Sequence, residues 1–305
     1  MKYITTFSDT VKVSQVALGC MRIANMTAAE ADHYLCTALE YGYNYFDHAD
    51  IYGGGRCEEV FGEALRRNKA LRDKMIIQTK CGIRSGMYDF SKEYIISAVE
   101  GSLKRFGLEH IDVLLLHRPD LLMEPDEVAA AFDALSQSGK VGAFGVSNHS
   151  PLQIELLQRS VKQKLVIDQM QLSITNATML SSGANVNLDN RDGINRDGYL
   201  RDYCRLSGIT IQPWSPLQHG FISGSFLGNE NYAALNQTIK EIAEKYNVTD
   251  TGIAITWLLR LPDKMQPVVG STNLDRLKAI AAAADITLSA ADWYKIYLAA
   301  GYTLP

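Results

Sequence analysis

Val16-Ala17-Leu18-Gly19-Cys20-Met21 is the stretch on which the fold turns. A short apolar run ending in glycine reads as the opening strand of an α/β chain. In an open, doubly wound sheet that binds a dinucleotide, a G-x-G-x-x-G turn would follow this strand directly. Here Gly19 stands alone before Cys20-Met21-Arg22. The open sheet is therefore disfavoured, and the rest of the chain has to supply the topology.

It does so by repetition. Apolar or β-branched runs recur at Gln15–Leu18, Tyr43–Phe46, Met75–Thr79, Ile111–His117, Val141–Ser147, Leu165–Gln171, Thr210–Trp214 and Gln266–Val269. Segments of helical spacing lie between them, including Ala28–Glu40, Cys57–Arg66, Lys92–Phe106, Pro125–Ser138, Pro151–Arg159 and Leu274–Ala284. Ser91 and Asn273 sit where N-caps belong, and Gly107 and Gly139 where helices would stop. Strand and helix in strict alternation imply parallel pairing with right-handed crossovers. Eight such units over about 260 residues fit an α/β fold of the (β/α)8 TIM-barrel type. Residues 1–14 read as a hairpin on the barrel floor, and Ala290–Ala299 as an extra C-terminal helix. With no linker in sight, residues 1–305 are expected to form a single barrel domain. The polar stretch 176–198, rich in Asn, Asp and Gly, is too long for a plain connector and reads as functional or mobile, ordering over substrate or cofactor.

Composition narrows the function classes. Apolar residues make up 47% and charged residues 21%, as in a globular protein with a full core. A formal net charge of −4 points away from nucleic-acid and membrane partners. No run approaches the roughly 18 apolar residues that span a bilayer, and the N-terminus shows no signal-peptide pattern, so a cytoplasmic location is expected. The cysteines Cys20, Cys36, Cys57, Cys81 and Cys204 are scattered without a C-x-x-C pair, which supports neither a disulfide framework nor a zinc site. Cys81 reads as a small residue filling a strand end. Gly53-Gly54-Gly55 lacks the following Lys-Ser/Thr of a phosphate loop and reads as a turn.

In barrels the chemistry sits on the C-terminal rim. Read in order, the rim carries Asp47, Lys80, His117, Ser147-Asn148, Gln169, Trp214 and Gly270-Ser271. Asp47, Lys80 and His117 close consecutive strands, and Tyr52 lies just beyond Asp47. An ammonium beside a phenol favours the phenolate, and a carboxylate behind the ammonium keeps it charged, so Asp47, Lys80 and Tyr52 could form a tuned acid. His117 could polarise a carbonyl by donating a hydrogen bond. Gln169 and Gln171 share one side of a buried strand and need partners there.

These motifs resemble the aldo-keto reductase family over nearly the whole chain. The most specific are Phe46-Asp47-His48-Ala49-Asp50-Ile51-Tyr52-Gly53, Thr79-Lys80-Cys81-Gly82, Leu116-His117-Arg118-Pro119-Asp120, Gly145-Val146-Ser147-Asn148 and Trp214-Ser215-Pro216-Leu217. The resemblance implies an NADPH-dependent oxidoreductase that reduces a small-molecule carbonyl substrate, with NADPH/NADP+ as cofactor and no metal required. It implies a catalytic set of Tyr52, Asp47, Lys80 and His117. It also implies that Ser147, Asn148 and Gln169 hold the nicotinamide carboxamide and that Trp214 stacks on the ring. Ser215 and Leu217 would line the pyrophosphate, and Gly270, Ser271, Thr272, Asn273 and Arg276 the adenosine side. The chain departs from many relatives at Gln218, at Gly270 where a lysine is common, and at Ala279 and Ile280; these bear on cofactor affinity and preference. Other readings remain: an NADPH-binding regulatory subunit, a lyase using Lys80 as a Schiff-base nucleophile, or a sugar-binding or isomerase barrel.

Overall fold

The protein is described by a computed structural model covering residues 1–305, and it contains all eight expected strands. They run Ala17–Gly19, Tyr45–Asp47, Ile76–Cys81, Ile111–Leu116, Val141–Ser147, Leu165–Gln171, Thr210–Trp214 and Val268–Val269. Each pairs in parallel with its neighbour in chain order, and the eighth pairs with the first. A parallel bridge between Ile211 and Met265 closes the ring, supported by Gln266 N–H donating to Ile211 O at 3.0 Å. The fold is a (β/α)8 barrel.

Three strands begin and end where the sequence placed them, while the first, second and eighth start two residues late. The early residues mix aromatic and polar side chains, and their backbone bonds to the neighbouring strands, such as Ile76 N–H to Asn44 O at 2.8 Å, are single rather than part of a continuous ladder. Tyr43 is buried and its hydroxyl donates to Leu277 O on a barrel helix, and Asn44 is bound to Ser14 near the floor.

Several helices start where capping and periodicity coincide. Thr27 and Glu30 make a reciprocal capping box ahead of Ala28–Glu40, and the Ser91 hydroxyl accepts from Tyr94 N–H to start Lys92–Phe106. That second helix ends at Gly107, whose φ of 69° suits the left-handed cap. Helix Arg56–Arg67 lies so close against its end that a Cβ on Gly62 would stand 2.5 Å from the Arg105 and Phe106 carbonyl oxygens. Two helices absent from the sequence reading, Ala233–Tyr246 and Asp250–Leu259, fill the interval between the seventh and eighth strands.

The N-terminal segment is a hairpin, as expected, pairing Tyr3–Ile4 antiparallel to Val13–Ser14. Val13 is fully buried against Ala17, Tyr45, Val113 and Val268, with Ile4, Phe7 and Val11 packed beside it. The hairpin thus plugs the bottom of the barrel. The C-terminal helix Ala290–Ala299 is pinned by a reciprocal indole pair. Trp257 and Trp293 stack at 4.8 Å, and each N–H donates to the other's backbone carbonyl.

The polar stretch 176–198 takes a different place from the one expected. It opens with a short helix, Thr178–Ala184, and then grips the C-terminal tail. Asp192 accepts from both the backbone N–H and the hydroxyl of Thr303 at 2.9 and 2.8 Å, and the Tyr302 hydroxyl accepts from Ala177 N–H. Asn185 joins Asp192 in holding the Thr303 hydroxyl, while other polar side chains such as Asn190, Asn195 and Asp197 bond within the loop itself. No helix is long and apolar enough to cross a membrane.

Candidate active site

Backbone ladders set the heights of the rim residues. Cys20 N–H donates to Asp47 O, Asp50 N–H to Lys80 O, His117 N–H to Cys81 O and Asn148 N–H to Gln169 O, at 2.8 to 3.1 Å. Neighbouring strands therefore deliver their last polar residues to one level. Above them opens a cavity of about 1110 Å3, lined by Asp47, Tyr52, His117, Ser147, Asn148, Gln169, Trp214 and the ends of the first and eighth strands.

At its base Lys80 is completely buried, and its ammonium donates to Asp47 Oδ1 and to His48 O, both at 2.6 Å. Removing two charges from water is costly unless they are paired and further hydrogen-bonded. Here Asp47 Oδ1 also accepts from the amides of Gln78 and Gln169 at 2.5 and 3.0 Å. The network runs on down the barrel axis. Gln78 and Gln169 donate to Gln212 Oε1, Gln212 donates to Gln266 Oε1, and Gln266 donates to Ser14 O at the floor. Tyr45 closes it by donating to Gln78 Oε1. A polar column of buried glutamines thus orients the ion pair from below.

Tyr52 begins the glycine turn Tyr52–Gly55, where Gly53, Gly54 and Gly55 have φ of 59°, 65° and 94°. This conformation brings the tyrosine back over the strand ends, and the run acts as a turn. The Lys80 ammonium lies 5.1 Å from the centre of the Tyr52 ring, and the His117 ring stands edge-on to it at 6.1 Å. Burial pushes the Tyr52 phenol up, and Lys80 pulls it down with smaller effect. The expected lowering of Tyr52 is therefore reversed in the protein alone: desolvation of the phenolate outweighs the ammonium. Burial lowers Lys80 as well, but Asp47 and Tyr52 overcome it, and the ammonium ends above its ordinary value. His117 is held well below the usual imidazole range by burial and by the charges of Lys80 and Arg118, so it is neutral. The arrangement holds a proton on a phenol between a fixed ammonium and a neutral imidazole. Cys81 is buried with its thiol pushed well up by desolvation, which suits a packing residue.

The other residues named from the sequence divide into two groups. Ser147, Asn148, Gln169 and Trp214 line the cavity and hold one another. The Ser147 hydroxyl donates to Gln169 O, Asn148 Nδ2 to Ser147 Oγ and His117 O, and Trp214 Nε1 to Asn148 Oδ1. Ser215, Leu217, Gly270, Ser271 and Arg276 also line it. Thr272 and Asn273 do not. Thr272 is exposed, and Asn273 Oδ1 caps helix Leu274–Ala283 by accepting from Arg276 N–H at 2.8 Å. Ile280 is fully buried in the core, so the departure noted there concerns packing. None of 176–198 and none of the tail borders the cavity; its loop wall comes from Met21, Arg22, Ile83, Tyr88 and Pro216–Leu227.

The sequence reading missed two features. One is the glutamine column, for which a signal existed: Tyr45, Gln78 and Gln212 each stand two residues before a rim residue and so face the same way. The other is charge. Arg22, Arg118 and Arg276 line the cavity without ion-pair partners, while its one carboxylate, Asp47, is bound to Lys80. Beside Arg22, whose guanidinium donates to Gly270 O at 3.0 Å, Gly19 and Gly270 leave bare backbone; a Cβ on Gly270 would meet nothing closer than Gly19 O at 3.9 Å. Open backbone, a capped helix start and unpaired guanidinium groups suit an extended anionic ligand such as a dinucleotide.

The chain is similar to known proteins over nearly its whole length. The sequence profile described as the Aldo/keto reductase family matches residues 15–298. The chain is 34% identical over 305 residues to a 6-dehydroglucose reductase of Agrobacterium fabrum, covering 95% of each sequence. It is 35% identical over 317 residues to the oxidoreductase YdhF of Escherichia coli, covering 99% of each. In fold it matches the crystal structure of a thermostable aldo-keto reductase in complex with the inhibitor epalrestat, with a TM-score of 0.78, 23% identity, and coverage of 98% of this chain and 100% of that one.

Proposed function

The chain belongs to the aldo/keto reductase family of oxidoreductases, and on that premise we propose that it reduces aldehyde or ketone carbonyls to alcohols with NADPH. The observation that carries this reading is the buried Lys80–Asp47 pair set beneath Tyr52 and beside a neutral His117 in one cavity. When bound, the reduced nicotinamide supplies the hydride. Trp214, Ser147, Asn148 and Gln169 would hold its ring end, and Ser215, Leu217, Ser271 and Arg276 its phosphates.

The residues of the chain then account for the proton. His117, uncharged, donates a single N–H toward the carbonyl oxygen and draws electron density from the carbon. Tyr52 gives its hydroxyl proton to the same oxygen as charge develops there, so the carbonyl gains one hydride and one proton and leaves as an alcohol. The phenolate left behind faces the Lys80 ammonium, which Asp47 and the glutamine column keep charged and in place. A proton from water restores the phenol.

The test is direct. Purified protein with NADPH and a panel of aldehydes, ketones and diketones should deplete the reduced-nicotinamide absorbance, with slower depletion when NADH replaces NADPH. Absence of depletion across the panel, in protein that binds NADPH by fluorescence, would contradict the reductase reading and favour a regulatory role.

A further inference from the structure

Arg118 follows His117 directly and lines the same cavity, and no carboxylate answers its charge. The acids around it are engaged elsewhere: Asp47 with Lys80, and Asp120 with the backbone N–H groups of Phe90 and Leu122. Its guanidinium packs near two aromatic rings, 5.6 Å from the centre of Trp214 and 5.8 Å from that of Phe221. Cation–π contacts hold the position of a guanidinium while leaving its N–H groups to other acceptors. Burial weakens the hold on its proton, and neighbouring Tyr88 and Tyr52 partly offset this. The group is thus half-desolvated, oriented, next to the proposed proton donor, and without an acceptor from the protein.

Resting on the reductase reading above, we propose that Arg118 is a substrate-specificity residue and that the substrates are carbonyl compounds bearing a carboxylate, which Arg118 binds in bidentate fashion. A carboxylate matches the planar fork of a guanidinium and supplies two acceptors at once. Arg22 bonds to Gly270 beyond the eighth strand and Arg276 lies in the helix that follows, across the ring from the fourth strand that leads to Arg118, so the cavity has separate cationic ends for substrate and cofactor. The carboxylate is unchanged in the reaction; only the aldehyde or ketone carbon is reduced, by the cofactor's hydride and the Tyr52 proton.

The test uses matched compounds and two variants. Succinic semialdehyde and its methyl ester share the aldehyde and the chain and differ in charge. Wild-type protein should favour the acid in kcat/KM by about 10- to 100-fold, mainly through KM, as expected for one charge-assisted contact. Arg118→Gln should abolish that preference, and Arg118→Lys should keep part of it. Equal or better use of the ester, or of neutral glyceraldehyde, by the wild type would overturn the proposal and leave the reductase reading standing. A second measurement does not depend on turnover: benzoate titrated into the NADPH-loaded protein, followed by intrinsic fluorescence, should bind roughly 10- to 100-fold more weakly to Arg118→Gln. Equal benzoate affinity in the two proteins would refute the role of Arg118 even if no aldehyde were reduced. Failure of turnover alongside this difference in binding would count against the reductase reading alone.

Discussion

Replacing Gln212 by leucine cuts the polar column at its centre. Gln212 is fully buried, accepts from Gln78 and Gln169 at 2.9 and 3.0 Å, and donates to Gln266 at 2.8 Å. Leucine matches the size of the side chain, so little cavity forms and the effect falls on hydrogen bonding. Gln78 and Gln169 keep their bonds to Asp47. Gln266 Oε1 loses the donor that Gln212 provides. One orphaned buried acceptor costs about 1–3 kcal/mol, and each of two lost bonds about 0.5–1.5 kcal/mol, partly offset by the apolar side chain. A net loss of roughly 2–4 kcal/mol is expected. Urea unfolding followed by far-ultraviolet circular dichroism would measure it. The Lys80–Asp47 contact is not touched directly, so turnover at low temperature should fall far less than stability. Unchanged stability would refute the view that the column is a single connected network whose members cannot be removed one at a time.

Three further outcomes follow from particular contacts. Burial pushes the Asp168 carboxyl up to about 8, with the Asn148 and His149 N–H groups offsetting part of this although neither reaches hydrogen-bond geometry. Its folded value lies above its unfolded one, so stability is full below about pH 4 and falls as pH rises toward about 8, by up to about 1.4 kcal/mol per unit. Asp168→Asn should therefore be more stable than the parent at about pH 8, with the gap closing near pH 4; an equal gap at both in denaturant titrations would reject this. Arg276→Ala should weaken NADPH binding roughly 10- to 100-fold and NADH binding little, by fluorescence titration, and equal loss for both would show that Arg276 does not recognise the 2′-phosphate. Asp192→Ala frees Thr303, so limited proteolysis in 186–198, where Val186 and Ile194 are exposed, should accelerate with or without NADPH; protection by NADPH would restore the lid role expected from the sequence.

The barrel was legible because its signals are local and repeated. Each strand is a short apolar run, several crossovers open on a capped helix, and the lone Gly19 disfavoured the open sheet. The rim residues were legible for the same reason, since polar side chains closing apolar strands stand out. What escaped depends on contacts between distant segments. Gln78, Gln212 and Gln266 look like isolated polar interruptions until the barrel brings their side chains together on its axis. Arg118 was visible only as part of a motif, because its lack of a partner is a property of the folded cavity. The 176–198 stretch misled for a physical reason: its polar groups suggested a ligand, and here they bond within the loop and, through Asn185 and Asp192, to the chain's own tail. The direction of the Tyr52 shift was likewise hidden, since burial and the nearby ammonium oppose each other and only the structure sets their balance.

The central claim is that Tyr52 delivers the proton, and Tyr52→Phe tests it most directly. The substitution keeps the ring against which Lys80 and His117 are placed and removes only the hydroxyl. Steady-state NADPH oxidation with a reducible aldehyde, paired with NADPH titration by fluorescence, should show kcat reduced by about 10² to 10⁴-fold and cofactor affinity nearly unchanged. A variant that retains most of the parent turnover would contradict the account.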